Sequence, residues 1–433
     1  MTGRQRASGK KNTKRKPWVR RRHRVITALA RPIVTRMCKS RYGFRPEPVP
    51  NPERQYLILY NHQTPYDQFF VALSFPHPIY YVATEDIFSM GAWSNLLRFA
   101  EAPIPIKKSG RDVRAVMHMM QVAKEGGSIA IAPEGNRTYS GRTGHIRDSV
   151  VTLVQKLKLP VVFFRIEGGY GAEPRWSDVT RRGRVRGYVS EILEPEQVAA
   201  LSFEELYRQI REALYVDERE PDGDHGSLRS AEYLERAFYT CPVCGLTTWR
   251  SRGERASCAT CGLTIRYGAD KQITSVSAES AGQPGFPYHN AAEWYEAQEA
   301  FVRTLDLTVY QDEAMYTDTA RFFRVIPYRR KERSAKKTPV SLFGDRIEIG
   351  TGAEGKIVFP FAQIQALSCM GHNKLNIYYH EKASGEGEGA REAGDEIYQI
   401  RGDVRFNALK YVNIFYLWKG RNKGGEDAEF LGL

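Results

Sequence analysis

Asn61-His62-Gln63-Thr64-Pro65-Tyr66-Asp67 follows directly on the apolar run Tyr56 to Tyr60 and opens a helical stretch, Tyr66 to Leu73. A histidine leaving a strand, with an aspartate five residues later at the start of a helix, can be oriented by that carboxylate across the turn. The carboxylate holds one imidazole tautomer and stabilises the imidazolium while the other ring nitrogen takes a proton from a hydroxyl. With no serine in the pair, the arrangement suits direct transfer, in which a substrate hydroxyl attacks a thioester and no covalent acyl-enzyme forms. By itself the pattern also describes a surface histidine beside a helix-capping aspartate, so the blocks downstream decide.

Ala102-Pro103-Ile104-Pro105-Ile106-Lys107-Lys108 reads as a short strand that delivers two cations at its end. Ile129-Ala130-Ile131-Ala132-Pro133-Glu134-Gly135-Asn136-Arg137-Thr138 reads as a buried strand opening into a turn, with Glu134, Gly135 and Arg137 at one end of the sheet. Leu159-Pro160-Val161-Val162-Phe163-Phe164 is another apolar strand, entered through a proline. From Gln55 to about Leu214, short apolar runs alternate with longer amphipathic stretches, the signature of an α/β domain. Strands are expected at Tyr56–Tyr60, Tyr80–Ala83, Ile104–Lys107, Ser128–Ala132 and Val161–Ile166, with an edge at Arg184–Ile192. Helices are expected at Tyr66–Leu73, Met90–Phe99, Val113–Lys124, Arg147–Leu157 and Pro195–Tyr215.

The four blocks in this order resemble the glycerolipid acyltransferases, and within them the 1-acyl-glycerol-3-phosphate acyltransferases, over about residues 54 to 215. The resemblance implies a mixed sheet flanked by helices, with His62 as general base and Asp67 as its orienting partner. It further implies that Asn61, Lys108, Glu134, Gly135, Arg137 and Pro160 belong to the substrate-binding set. In that scheme Glu134 and Gly135 shape the turn, Arg137 contacts phosphate and Pro160 shapes the acyl-donor side. Two positions depart from the family pattern. Lys108 stands where arginine is usual, giving up the planar two-pronged grip on phosphate while keeping the charge, and Asn136 stands where threonine is usual.

Cys241-Pro242-Val243-Cys244 and Cys258-Ala259-Thr260-Cys261 are two tight pairs separated by 13 residues. Each pair can wrap two thiolates round one ion, and four sulfurs set tetrahedrally suit a structural Zn²⁺, as in a zinc ribbon; iron is the rival metal. Gly245 and Gly262, directly after the pairs, permit the tight turns such knuckles need. A redox pair fits poorly without a βαβ context, and Cys38 and Cys369 stand alone.

The formal net charge is +14, yet the first 50 residues hold 16 Lys and Arg against the single acid Glu47. The rest is close to neutral, so the basic excess belongs to one arm, which is drawn to polyanions such as an anionic membrane surface or nucleic acid. Val25, Ile26, Leu29, Ile33, Val34 and Met37 recur at helical spacing among Arg24, Arg31 and Arg36, the pattern of a helix lying in the membrane interface, which Pro32 is expected to break or kink. No run of 18 apolar residues and no clean signal peptide is present, and the expectation is a peripheral protein on the cytoplasmic face of the cell membrane.

The polar stretch Asp217–Ser230 reads as a linker, and Thr274–Pro287 as a second. Beyond them come a helix over 290–305 capped by Asn290, β-like runs at Phe322–Ile326, Arg346–Ile349, Lys356–Phe359, Leu375–Tyr379 and Glu396–Ile400, and a last helix, Val404–Trp418, ending near Gly420. Strands closed by a terminal helix resemble the pleckstrin-homology and GRAM arrangement, and Glu381–Asp395 reads as a hairpin loop. The expected organisation is a basic arm (1–50), an acyltransferase domain (51–216), a zinc-ribbon module (237–272) and a β-rich C-terminal α+β domain (290–420).

The function that follows from the resemblance is transfer of a fatty acyl group from acyl carrier protein or coenzyme A to the sn-2 hydroxyl of lysophosphatidic acid at a phospholipid surface. Acylation of another lyso-lipid, or a non-catalytic adaptor for membrane or nucleic acid, is the alternative. The cysteine segment lacks an aromatic row among its basic residues, so no nucleic-acid partner is expected.

Overall fold

The computed structural model describes residues 16–107, 112–181, 183–220, 225–276, 285–326, 331–351, 355–381, 394–423 and 430–432. Of the break or kink expected at Pro32, the break does not occur: helix α1 (Arg21–Tyr42) runs through it. Its second half is anchored, which holds the helix together despite the missing N–H: Cys38 and Tyr42 are buried, and Arg31 donates to the carbonyls of Leu73 at 2.5 Å and Phe75 at 2.8 Å.

The first sheet grows from β1 (Leu57–Tyr60), four apolar residues buried on both faces, as a central parallel strand requires. The chain then forms α2 (Asp67–Ser74), β2 (Ile79–Thr84), α3 (Ala92–Ala100), β3 (Ile104–Ile106), α4 (Val113–Lys124), β4 (Ser128–Ile131), α5 (Ser149–Leu157), β5 (Val161–Glu167), α6 (Gly169–Ala172) and β6 (Arg186–Leu193). The strand order is β3-β2-β4-β1-β5-β6, parallel apart from β6, which runs antiparallel to β5 as the edge. The helix expected over Pro195–Tyr215 is two, α7 (Pro195–Ala200) and α8 (Phe203–Leu214), because Ser202 caps a new start and Glu205 completes the capping box.

Asp217–Ser230 is not a free linker. Glu218 is buried and accepts from the N–H of Gly168 at 2.7 Å and of Gly171 at 3.1 Å, and Ser230 is fully buried. The cysteine module follows as the hairpin β7 (Thr240–Cys241) and β8 (Gly245–Leu246), then the antiparallel strands β9 (Trp249–Arg252), β10 (Arg255–Cys258), β11 (Thr264–Tyr267) and β12 (Ile273–Ser275). One apolar cluster runs from Tyr170 and Trp176 of the first domain through Phe238 and Trp249 of the module to Trp294, with Phe238 stacked on Trp294 at 4.0 Å.

Helix α9 (Ala291–Thr304) is capped by Asn290, whose side chain accepts from Glu293 N at 3.0 Å. It is followed by β13 (Tyr316–Val325), β14 (Glu332–Leu342), β15 (Arg346–Ile349), β16 (Ile357–Pro360), β17 (Ile364–Met370), β18 (Lys374–Glu381), β19 (Gly394–Gly402) and α10 (Leu409–Lys423). The seven strands form one antiparallel half-barrel in the order β16-β15-β14-β13-β19-β18-β17. Helix α10 begins later than expected and passes Gly420, and its residues 409–417 are buried as it packs against the half-barrel and α9. Most of the expected loop Glu381–Asp395 lies outside the described residues.

Candidate active site

At the C-terminal end of β1 the chain turns over Asn61 and His62 into α2, whose first residue is Asp67. The carboxylate of Asp67 is fully buried and collects four donors: Gln63 N at 2.7 Å, Thr64 N at 3.0 Å, the Thr64 hydroxyl at 2.7 Å and His62 Nδ1 at 2.7 Å. Three of these come from the turn itself, so the aspartate is locked before it meets the imidazole. With Nδ1–H donating to Asp67, Nε2 carries the lone pair, and the His62 side chain is 25% exposed, so that nitrogen can accept a proton from a bound hydroxyl.

The turn after β4 is sewn to the histidine turn through main chain. Glu134 accepts from His62 N at 2.7 Å and from Gly144 N at 2.6 Å, and Thr138 N donates to the His62 carbonyl at 3.0 Å. Burial pushes the Glu134 carboxyl up to about 8 in spite of its two N–H donors. Gly135 sits at φ +68, the left-handed region glycine enters without steric cost.

Arg137 follows this turn and is buried, with its Nη1 lacking a hydrogen-bond partner. Burial, reinforced by the charge of Arg175, pushes the Arg137 guanidinium down to about 10, so it remains cationic at neutral pH. A buried, incompletely paired cation is costly unless an anion arrives. A cavity of about 360 Å³ adjoins it, between residues 134–145 and α9, lined among others by Glu134, Arg137, Tyr139, His145, Tyr295 and Glu299.

Other expected residues fare differently. Asn61 ties β1 to β5, its amide donating to Ile166 O at 2.8 Å and accepting from Ile166 N at 2.7 Å. Pro160 precedes β5, and its carbonyl accepts from Leu57 N at 3.0 Å, at the end of the parallel strands opposite His62. Lys108 lies outside the described residues. Sequence reasoning missed Arg175, which donates to the Arg137 carbonyl at 2.6 Å and to the Cys369 carbonyl of β17 at 3.1 Å. It also missed Glu173, a buried acceptor for Tyr42 and Arg41. Their one signal was their place in the loop after β5, which ends beside the histidine turn.

The four cysteine sulfurs lie within 4.8 Å of one another, with Cys241 and Cys261 at 3.6 Å and Cys244 and Cys258 at 3.5 Å. Sulfurs about 2.3 Å from a tetrahedral ion stand just under 4 Å apart, so this donor set fits a metal ion. Gly245 and Gly262 both take φ +77, as the knuckle turns require.

Residues 44–167, a stretch that includes His62, Asp67, Glu134 and Arg137, match the family model described as Acyltransferase. No curated protein matches the chain. Among solved structures, the crystal structure of the 1-acyl-sn-glycerophosphate (LPA) acyltransferase PlsC from Thermotoga maritima is 21% identical with a TM-score of 0.37, covering 44% of this chain and 76% of that one.

Proposed function

We propose that the chain transfers a fatty acyl group from a thioester, acyl carrier protein or coenzyme A, to the sn-2 hydroxyl of 1-acyl-glycerol-3-phosphate, forming phosphatidic acid. The observation that carries this reading is the 2.7 Å His62–Asp67 pair, joined by main-chain bonds to a turn that presents a buried guanidinium with a free Nη1. The acceptor phosphate binds at Arg137, which leaves its sn-2 hydroxyl to be deprotonated by His62. The alkoxide attacks the thioester carbonyl, the tetrahedral intermediate collapses, and the sulfur leaves as the thiol by taking the proton from the imidazolium, which returns His62 to its neutral form.

Attachment to the cytoplasmic face of the membrane belongs to the same proposal. Leu29 and Ile33 of α1 and Trp93, Leu96 and Phe99 of α3 are exposed, and Arg22 of α1 lies 4.2 Å over the Phe99 ring. Apolar side chains interleaved with arginines suit an anionic lipid interface, and among the described residues no helix is long and apolar enough to cross a membrane. The four cysteines hold a structural Zn²⁺, and the half-barrel with α10 is a pleckstrin-homology-like module.

The test offers the purified protein several lyso-lipids with both thioester donors. Phosphatidic acid formed from lysophosphatidic acid at the highest kcat/KM supports the reading. Preference for a different lyso-lipid moves the acceptor assignment, and the absence of transfer from every pair removes it.

A further inference from the structure

We propose that Arg175 makes the acceptor site select a phosphate monoester over a phosphodiester, by fixing the main chain of Arg137 and placing a second buried positive charge beside it. The inference rests on the reading above in which Arg137 takes the acceptor phosphate, and it names the charge of that acceptor.

Arg175 lies in the loop between α6 and β6 and is 3% exposed. Its Nη1 donates to the main-chain carbonyl of Arg137 at 2.6 Å and its Nη2 to the Cys369 carbonyl at 3.1 Å, while the guanidinium lies 4.2 Å over the Tyr139 ring. These partners are neutral, and Nε is buried without a hydrogen-bond partner. Bridging alone does not call for a charge, because the NH₂ of a glutamine also donates to two carbonyls. The Arg137 guanidinium is in a similar state, buried with its Nη1 unpartnered. Among the described residues no carboxylate forms an ion pair with either guanidinium. Two like charges taken out of water without a counter-ion are costly, and an arriving dianion offsets both.

The acids around the pair are engaged elsewhere. Glu173 accepts from Tyr42, Arg41 and Thr180, and Asp67 takes four donors of the histidine turn. Burial pushes the Glu134 carboxyl up to about 8, so it is largely protonated at neutral pH. His372 of the half-barrel is held below its ordinary value by burial and by the charge of Arg137, and it is bonded to Asp178, which Arg236 also engages. The charge left to a ligand is therefore that of two guanidiniums. A phosphate monoester, with its second pKa at about 6, carries close to two negative charges at neutral pH, whereas a phosphodiester carries one. Placement ties the pair to the reaction, since Thr138, the residue after Arg137, donates its N–H to the His62 carbonyl at 3.0 Å. The charge of Asp67, which orients His62, also acts on the Arg137 guanidinium. Through Cys369 the acceptor site is completed by a strand of the half-barrel, 194 residues beyond Arg175.

The experiment compares the full-length parent with Arg175→Gln and Arg175→Lys on two acceptors that differ by one charge, 1-acyl-glycerol-3-phosphate and the methyl phosphodiester of the same lipid. The parent should favour the monoester by about tenfold or more in kcat/KM. Arg175→Gln should raise KM for the monoester by about tenfold while changing that for the diester by about threefold or less. kcat and the KM for the thioester donor should stay as in the parent, and Arg175→Lys, which keeps the charge, should retain most of the discrimination. Equal use of the two acceptors by the parent overturns the proposal whether or not the Gln variant folds. A rise in KM shared equally by both acceptors, the mark of a residue that only holds the framework, overturns it too, as does a Lys variant that discriminates no better than the Gln variant. If the parent acylates neither acceptor, the acyltransferase reading itself has failed, and calorimetric titration of sn-glycerol 3-phosphate decides: tighter binding to the parent than to Arg175→Gln supports the paired site, and equal affinity overturns it.

Discussion

The main-chain N–H of His62 donates to the carboxylate of Glu134 at 2.7 Å, so the residue that bears the imidazole is positioned by the turn that presents Arg137. The second Glu134 oxygen accepts from Gly144 N at 2.6 Å, and no other side chain bridges these two segments in this way among the described residues.

Glu134→Gln should therefore damage both fold and rate. Above about pH 8, where the carboxyl is ionised and accepts at both oxygens, an amide offers one acceptor and its NH₂ would face a main-chain donor, at a cost of about 1–3 kcal/mol for the group left unsatisfied. Thermal unfolding and kcat read the two effects. The carboxyl is also expected to make stability depend on pH. Its folded value, about 8, lies above the ordinary 4.5, so its contribution is fully present below about 4.5 and is lost as pH rises towards 8. Subtracting the pH–stability curve of the Gln variant from that of the parent should isolate this decline. A flat difference would mean that Glu134 is ionised throughout.

Asp67→Asn keeps the volume and replaces one of two oxygens that together take four donors. The imidazole loses the partner that fixes its tautomer, and kcat should fall by about a thousandfold, with KM for either substrate changed far less. A loss in KM at constant kcat would show that the aspartate shapes binding and not proton transfer.

Arg137→Gln separates function from stability. Removal of a buried cation with an unpartnered Nη1 should leave the melting temperature equal or higher. KM for the phosphate-bearing acceptor should rise by about tenfold or more. A variant both less stable and unchanged in KM would place Arg137 in the framework alone.

The cysteine cluster is expected to support the whole chain, since Trp249 and Phe238 of its module pack on Trp294 and Trp176. Metal analysis should find close to one zinc per chain. Chelation should lower the melting temperature and red-shift the emission of these buried tryptophans, because the binding energy of such sites, on the order of 10 kcal/mol, is folding energy. Metal loss without either change would confine its role to the knuckles.

Legibility in the sequence followed burial. Strands β1, β4 and β5 are covered on both faces and appear as unbroken apolar runs, and the cysteine pairs announce their own geometry. Strand β14 was invisible because Glu332-Arg333-Ser334-Ala335-Lys336-Lys337 is polar, and it is ordered by its pairing with β13 rather than by burial. Of the site, His62, Asp67, Glu134 and Arg137 could be read because each sits one turn beyond an apolar strand. Arg175 and Glu173 could not, since their contacts arise when a loop folds back over distant strands. The anchoring role of Asn61 escaped for a related reason: only the fold reveals that both ends of its amide join β1 to β5.

The most direct test of the account is acyl transfer by His62→Ala, with the protein chromatographed beside the parent to show that it folds. The expected result is a fall in kcat of about two to four orders of magnitude, with metal content and melting temperature retained and no acyl group covalently attached to either protein. Turnover by the alanine variant comparable to that of the parent would contradict the claim that this imidazole is the base.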